Sequence, residues 1–301
     1  MLLSFLPPPR AASRRAAIIC AVLAAALLAA GCSALRLGYG QAPSAVWWWL
    51  DRYAGFDAEQ TPRVRERIDG WLRWHRATQL PDYAALLARA AQEVMADAGP
   101  AQVCGWLDTV AVRIDAAAAE ALPALAATAV TLAPAQIDRI ERRLAKNDEK
   151  FREEQVDAPA AAVAERRLDK AVDRGQQLYG RLGAAQREQL ARNIAASPYD
   201  AELALAERQR RRRELVGLLR RVRAERMDAV QLQAQAAAFV ERLRHPPDGP
   251  WRAHQQQMRA FNCDAAARLH NLTTPEQRQA AARRLAGWER DLRALAADAE
   301  P

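Results

Sequence analysis

The chain has 301 residues, enough for one or two domains and a sizeable buried core. Half of the residues are hydrophobic, 27% are charged and 6% are aromatic, which excludes a disordered chain and a polytopic membrane protein alike. The net charge of +8 rests on 41 Arg and only 3 Lys, and 13 Gly with 16 Pro leave too little punctuation for an all-β fold.

Arg10, Arg14 and Arg15 form a positive N-terminal region, followed by an uncharged stretch over 16–30 rich in Ala, Leu and Ile. A membrane span needs about 20 apolar residues, so this shorter run reads as the core of a signal peptide. It ends in Leu28-Ala29-Ala30-Gly31-Cys32, which resembles a bacterial lipobox with Ala29 where Leu is more usual. The resemblance implies a diacylglycerol thioether on Cys32, cleavage before it and acylation of the new amine. Ser33, where an Asp would signal retention, resembles an outer-membrane destination facing the periplasm. The expected organisation is a leader over 1–31, a lipidated Cys32 with a tether to residue 43, and one α-helical domain over 44–301. Loss of the leader removes three Arg and no acid, leaving a net charge of about +5.

Of four cysteines, Cys20 leaves with the leader and Cys32 carries lipid. Cys104 and Cys263 remain, an even pair in an oxidising compartment, and are expected to bond. Two buried free thiols are the alternative; neither Cys has a second ligand at metal-site spacing, so no metal or other cofactor is expected.

After residue 40 the apolar residues recur at three and four, the helical period. The expected fold is an all-α multi-helix bundle with helices near 44–54, 58–79, 82–98, 101–131, 134–155, 160–182, 184–196, 200–227, 229–244, 251–272 and 275–298. Breaks fall at Gly99-Pro100, Ser197-Pro198 and 245–250. Four helix starts share a Gln three residues after the cap: Asp57…Gln60, Ala133…Gln136, Gly183…Gln186 and Thr274…Gln277. That spacing is the capping box, in which the Gln side chain reaches back to the cap's own N–H. Leu132-Ala-Pro-Ala-Gln136 and Leu182-Gly-Ala-Ala-Gln186 also resemble the LTxxQ motif of Spy-like periplasmic chaperones, with its Thr missing.

Larger blocks resemble a family of bacterial lipoproteins classed as a domain of unknown function. They are Leu35-Arg-Leu-Gly-Tyr-Gly-Gln-Ala-Pro-Ser44 with Trp48-Trp-Leu-Asp-Arg-Tyr53, Phe56-Asp57, Trp71-Leu-Arg-Trp-His-Arg76 with Leu80-Pro-Asp-Tyr83, and Phe261-Asn-Cys-Asp264 with His270-Asn271 and Thr273-Thr-Pro-Glu-Gln-Arg278. The resemblance implies an exported, lipidated, helical protein. No catalytic or cofactor residues come with it.

Several residues are candidates for interaction. Trp47, Trp48 and Trp49 point about 100° apart on a helix, so they cannot share one buried face. At least one is expected at a surface, and the membrane interface suits an indole, although packing between neighbouring helices would also take them. The segment 207–226 holds nine Arg and three Glu. It lacks the aromatic interleaving of a nucleic-acid groove, so Arg208, Arg211, Arg212, Arg220 and Arg223 are candidates for an acidic lipid, lipopolysaccharide or protein partner, or else form a solvated face. Asp51, Asp82, Asn262, Asp264 and Asn271 either line a cleft or satisfy helix ends and buried Arg. His75, His245, His254 and His270 lack a marked nucleophile and orienting partner, and no phosphate loop, dinucleotide fingerprint or paired-carboxylate motif is present. The expectation is a non-enzymatic envelope lipoprotein that binds or scaffolds. A Spy-like chaperone and an enzyme of unrecognised type are the alternatives.

Overall fold

The computed structural model describes residues 34–298. The leader and Cys32 lie outside the described residues. No strand occurs among those described. The helices are α1 (Ala34–Gly40), α2 (Ala42–Ala54), α3 (Gln60–Trp74), α4 (Leu80–Glu93), α5 (Pro100–Ala129), α6 (Pro134–Phe151), α7 (Ala160–Tyr179), α8 (Ala184–Ala195), α9 (Ala201–Ala224), α10 (Ala229–Arg244), α11 (Pro250–Asn271) and α12 (Pro275–Ala297).

Local chemistry sets most of these boundaries. Pro100, Pro134, Pro250 and Pro275 open helices, where the missing N–H would be unpaired anyway. Asp200, Asp228 and Thr274 cap with their side chains, each accepting from a backbone N–H three residues on. Gly55 ends α2 at φ +63°, a left-handed conformation that favours glycine.

Several boundaries differ from the sequence expectation, and the helix expected to run to residue 98 ends at Glu93. Pro81 does not separate two helices: α3 runs into α4 through a π turn over His75–Gln79. The wider turn accommodates a ring that would clash with the carbonyl four residues back. Residues 34–40, expected as tether, form α1. Gln41 has helical dihedrals, with its N–H bonded to the Leu37 carbonyl and its carbonyl accepting from Ala45, so the helical ladder continues from α1 into α2.

Burial is divided among small clusters. Val64, Ile68 and Leu72 of α3 pack against Tyr39, Val46, Trp47 and Leu50. Ala54, Leu132, Ile137, Val216 and Leu219 join α2, α6 and α9, while Ala126, Leu218, Val222 and Leu232 join α5, α9 and α10. Val172, Leu182 and Leu190 join α7 and α8. The last helix, α12, lies along α4 and so closes the C-terminus onto the first third of the chain. Cys104 of α5 and Cys263 of α11 are bonded, with Cα atoms 5.4 Å apart, and Cys263 is buried.

Candidate functional site

The three consecutive tryptophans divide as helix geometry requires. Trp47 turns into the Val64–Ile68–Leu72 cluster, with the Arg65 guanidinium 4.0 Å above its ring. Trp48 and Trp49 point outward, 63% and 60% exposed, as does Leu37 of α1 at 67%. Because the ladder continues through Gln41, the exposed residues Leu37, Gln41, Ala45, Trp48 and Arg52 recur at three and four along a single face. An open depression of about 440 Å³ lies beside this face, lined by Arg36, Leu37, Gln41, Arg76, Leu295 and Asp298 among others.

The arginine-rich helix behaves differently. Arg208 and Arg212 reach Asp148 of α6, a buried carboxylate, at 3.3 and 2.8 Å. Arg211 and Arg210 both hold buried Glu207, each at 2.7 Å, and Arg210 continues to Glu214, which also accepts from Arg242 of α10. Burial pushes the Glu207 carboxyl toward its neutral form, but hydrogen bonds from Arg210 and Arg211 outweigh this and hold it below the usual carboxylate range. Arg220 pairs with Asp138 and Glu141, and Arg223 donates to the Leu132 carbonyl. All five arginines expected to face an acidic partner are therefore engaged within the fold. The sequence reading missed Asp148 because it lies 60 residues earlier, on another helix. Arg213, Arg221 and Arg226 are exposed and make no ion pair among the described residues, so the helix's open charge sits at positions not singled out from the sequence.

The four glutamines do more than cap. Each accepts from its own cap's N–H through Oε1, at 2.8 to 3.1 Å. Gln60 and Gln136 also donate to one another, at 3.2 and 2.7 Å, and Gln186 and Gln277 do the same, at 2.6 and 3.1 Å. Each further donates to the carbonyl five residues before its partner: Thr131, Gly55, Leu272 and Arg181. The result is two junctions of the same local design, each clasping two helix starts that are distant in sequence. Side-chain spacing announced the boxes, but only tertiary contact could announce the pairing.

Three of the four histidines pack against aromatic rings. His75 sits among Trp71, Trp74, Tyr39 and Tyr83, with its Nδ1 2.9 Å from the Tyr39 hydroxyl, and burial shifts it toward the neutral form. His270 Nε2 faces the Ala96 carbonyl at 2.7 Å and so donates to it, while the Tyr179 hydroxyl meets Nδ1 at 2.8 Å. Burial pushes Tyr179 up to about 12, leaving it a hydroxyl donor at any ordinary pH. His254 packs between Tyr199 and Trp251, and His245 is exposed near Glu241. Four of the five polar residues considered for a cleft are occupied in the same way, while Asn262 is exposed. Asp82 pairs with Arg113, Asp264 with Arg268, Asp51 accepts from the Phe56 N–H, and Asn271 exchanges two hydrogen bonds with the backbone of Ala98.

No group of three or more potential metal-ligating side chains occurs among the described residues. None of their helices is long and apolar enough to cross a membrane. The profile of a family described as "Family of unknown function (DUF6279)" matches residues 52–244. No curated protein and no solved structure matches the chain.

Proposed function

The chain belongs to the DUF6279 family of unknown function, and we propose that it is a lipid-anchored protein of the cell envelope that binds or scaffolds partners without catalysing a reaction. The observation carrying this reading is how closely the described helices follow Cys32 in the sequence. Helix α1 starts at Ala34, two residues after Cys32, and is tied down by Arg36–Asp298 at 3.0 Å and Tyr39–His75 at 2.9 Å. Acyl chains on Cys32 would therefore hold the body directly against a bilayer, with almost no intervening tether. Each buried methylene adds about 0.8 kcal/mol, so three chains would make the attachment effectively permanent. Ser33 favours the outer membrane, with the body in the periplasm. Intact-mass analysis of protein purified from membranes is expected to show a chain beginning at an acylated Cys32; an unacylated chain that retains residues 1–31 would overturn the reading.

A second reading, a Spy-like chaperone, is favoured by the paired glutamines, because both segments resembling LTxxQ contribute one Gln to a clasp. It predicts suppression of client aggregation at equimolar protein, and failure to suppress would remove it.

A further inference from the structure

The exposed face of α1–α2 combines three properties: length, outward apolar side chains and a lack of acid. It is continuous, running about 22 Å from Leu37 to Arg52 at 1.5 Å per residue. It carries two adjacent outward indoles and an outward Leu, each about three-fifths exposed or more. Residues 34–50 include no Asp or Glu, and the first acid, Asp51, is turned away to accept the Phe56 N–H at 2.8 Å. Isolated exposed apolar residues need no explanation, but an ordered stripe of this kind marks a binding surface.

The chain itself indicates the occupant. The stripe begins five residues after Cys32, so it is the first part of the body that an anchored bilayer would meet. Trp favours the headgroup level of a membrane, where the ring is sheltered and the indole N–H remains hydrated. The depression alongside holds two guanidinium groups, Arg36 and Arg76, against one carboxylate, Asp298, and Arg52 ends the stripe. A net positive border suits lipid phosphates. Residues 34–50 carry no acid to repel an anionic bilayer, and the carboxylate beside them, Asp298, is paired with Arg36 at 3.0 Å.

We propose that α1–α2 is an interfacial membrane-docking helix. Leu37, Trp48 and Trp49 enter the headgroup region and fix the orientation in which the helical body stands on the lipid surface. This rests on the lipid-anchor reading for its location, while its own chemistry is that of the stripe. The orientation has a consequence for scaffolding: the same side of the body always faces away from the membrane, so partners meet a defined surface.

The test uses full-length protein reconstituted into vesicles of phosphatidylethanolamine and phosphatidylglycerol carrying acyl chains brominated near their headgroup end. Bromine quenches indole fluorescence at contact range. The chain has eight Trp, so the reading is a difference between proteins. Wild type is expected to be quenched, and Trp48→Ala/Trp49→Ala is expected to lose that quenching while keeping its helical circular dichroism. Leu37→Glu, which adds charge to the stripe without removing an indole, is expected to reduce the quenching of the two remaining reporters. Intact mass is measured on the same samples. Acylated protein whose quenching is unchanged in the double variant overturns the docking helix and leaves the anchor standing. Unacylated protein whose quenching depends on Trp48 and Trp49 overturns the anchor and leaves the docking helix standing.

Discussion

Two helical regions look equally adhesive as text and are used in opposite ways by the fold. On α9 the conspicuous arginines are folded into a network around two buried carboxylates, Asp148 and Glu207. On α1–α2 the conspicuous aromatics divide, one packed inward and two presented to solvent. A charge run reports little about a binding surface until its counter-charges are located, since a carboxylate on a neighbouring helix can absorb it. A run of three indoles is more informative, because helix geometry forbids burying all three on one side.

The contrast can be broken from the interior outward. Reducing the Cys104–Cys263 bond, or replacing both residues with Ser, releases a long loop and is expected to cost up to about 5 kcal/mol in the chain-entropy model. A lowered urea midpoint, with vesicle docking retained below the transition, would keep the two regions separate. Asp148→Asn leaves Arg208 and Arg212 without their shared carboxylate and is expected to cost about 3 kcal/mol, at the lower end for a broken buried pair because both arginines are partly exposed. An unchanged midpoint would return those arginines to the pool of surface charge.

Trp47→Ala opens the cluster on α3 and is expected to cost about 2 to 3 kcal/mol. Trp48→Ala and Trp49→Ala are each expected to stay within about 0.5 kcal/mol of wild type. Equal effects from all three would mean that the division between inward and outward indoles is wrong. Gln136→Ala removes both a capping arm and half of a clasp, with an expected loss of about 2 kcal/mol for hydrogen bonds left unpaired at two helix starts.

Acid should weaken the Glu207 network on α9. Glu207 titrates below the ordinary carboxylate value in the folded chain. Its pairing is therefore fully present above the unfolded value and is lost as pH falls through the folded one. Glu207→Gln should flatten that dependence in pH-resolved denaturation, and an unaltered profile would assign the acid sensitivity to other groups.

Much of the fold was legible in the sequence. The 3.6-residue period, Pro at first turns and Gln at the third helical position placed nearly every helix, because these signals act within a few residues. The Cys104–Cys263 bond matches the expectation drawn from counting cysteines under an expected oxidising compartment. The errors share a cause. The tether turned out to be helix because Tyr39 and Arg36 find partners on α3–α4 and near the end of α12, and Pro81 failed to break a helix because a π turn absorbed it.

Sequence by itself determined which residues are helical, where helices start, and that three adjacent indoles must face different ways, since all of this depends on short-range backbone geometry. Tertiary structure alone decided which arginines reach carboxylates on other helices, which glutamines pair and which indoles remain outside. Those outcomes depend on groups brought together across separations from 17 residues, for Trp47 and Val64, to 91, for Gln186 and Gln277, and no local pattern records the distance between helices that have yet to pack.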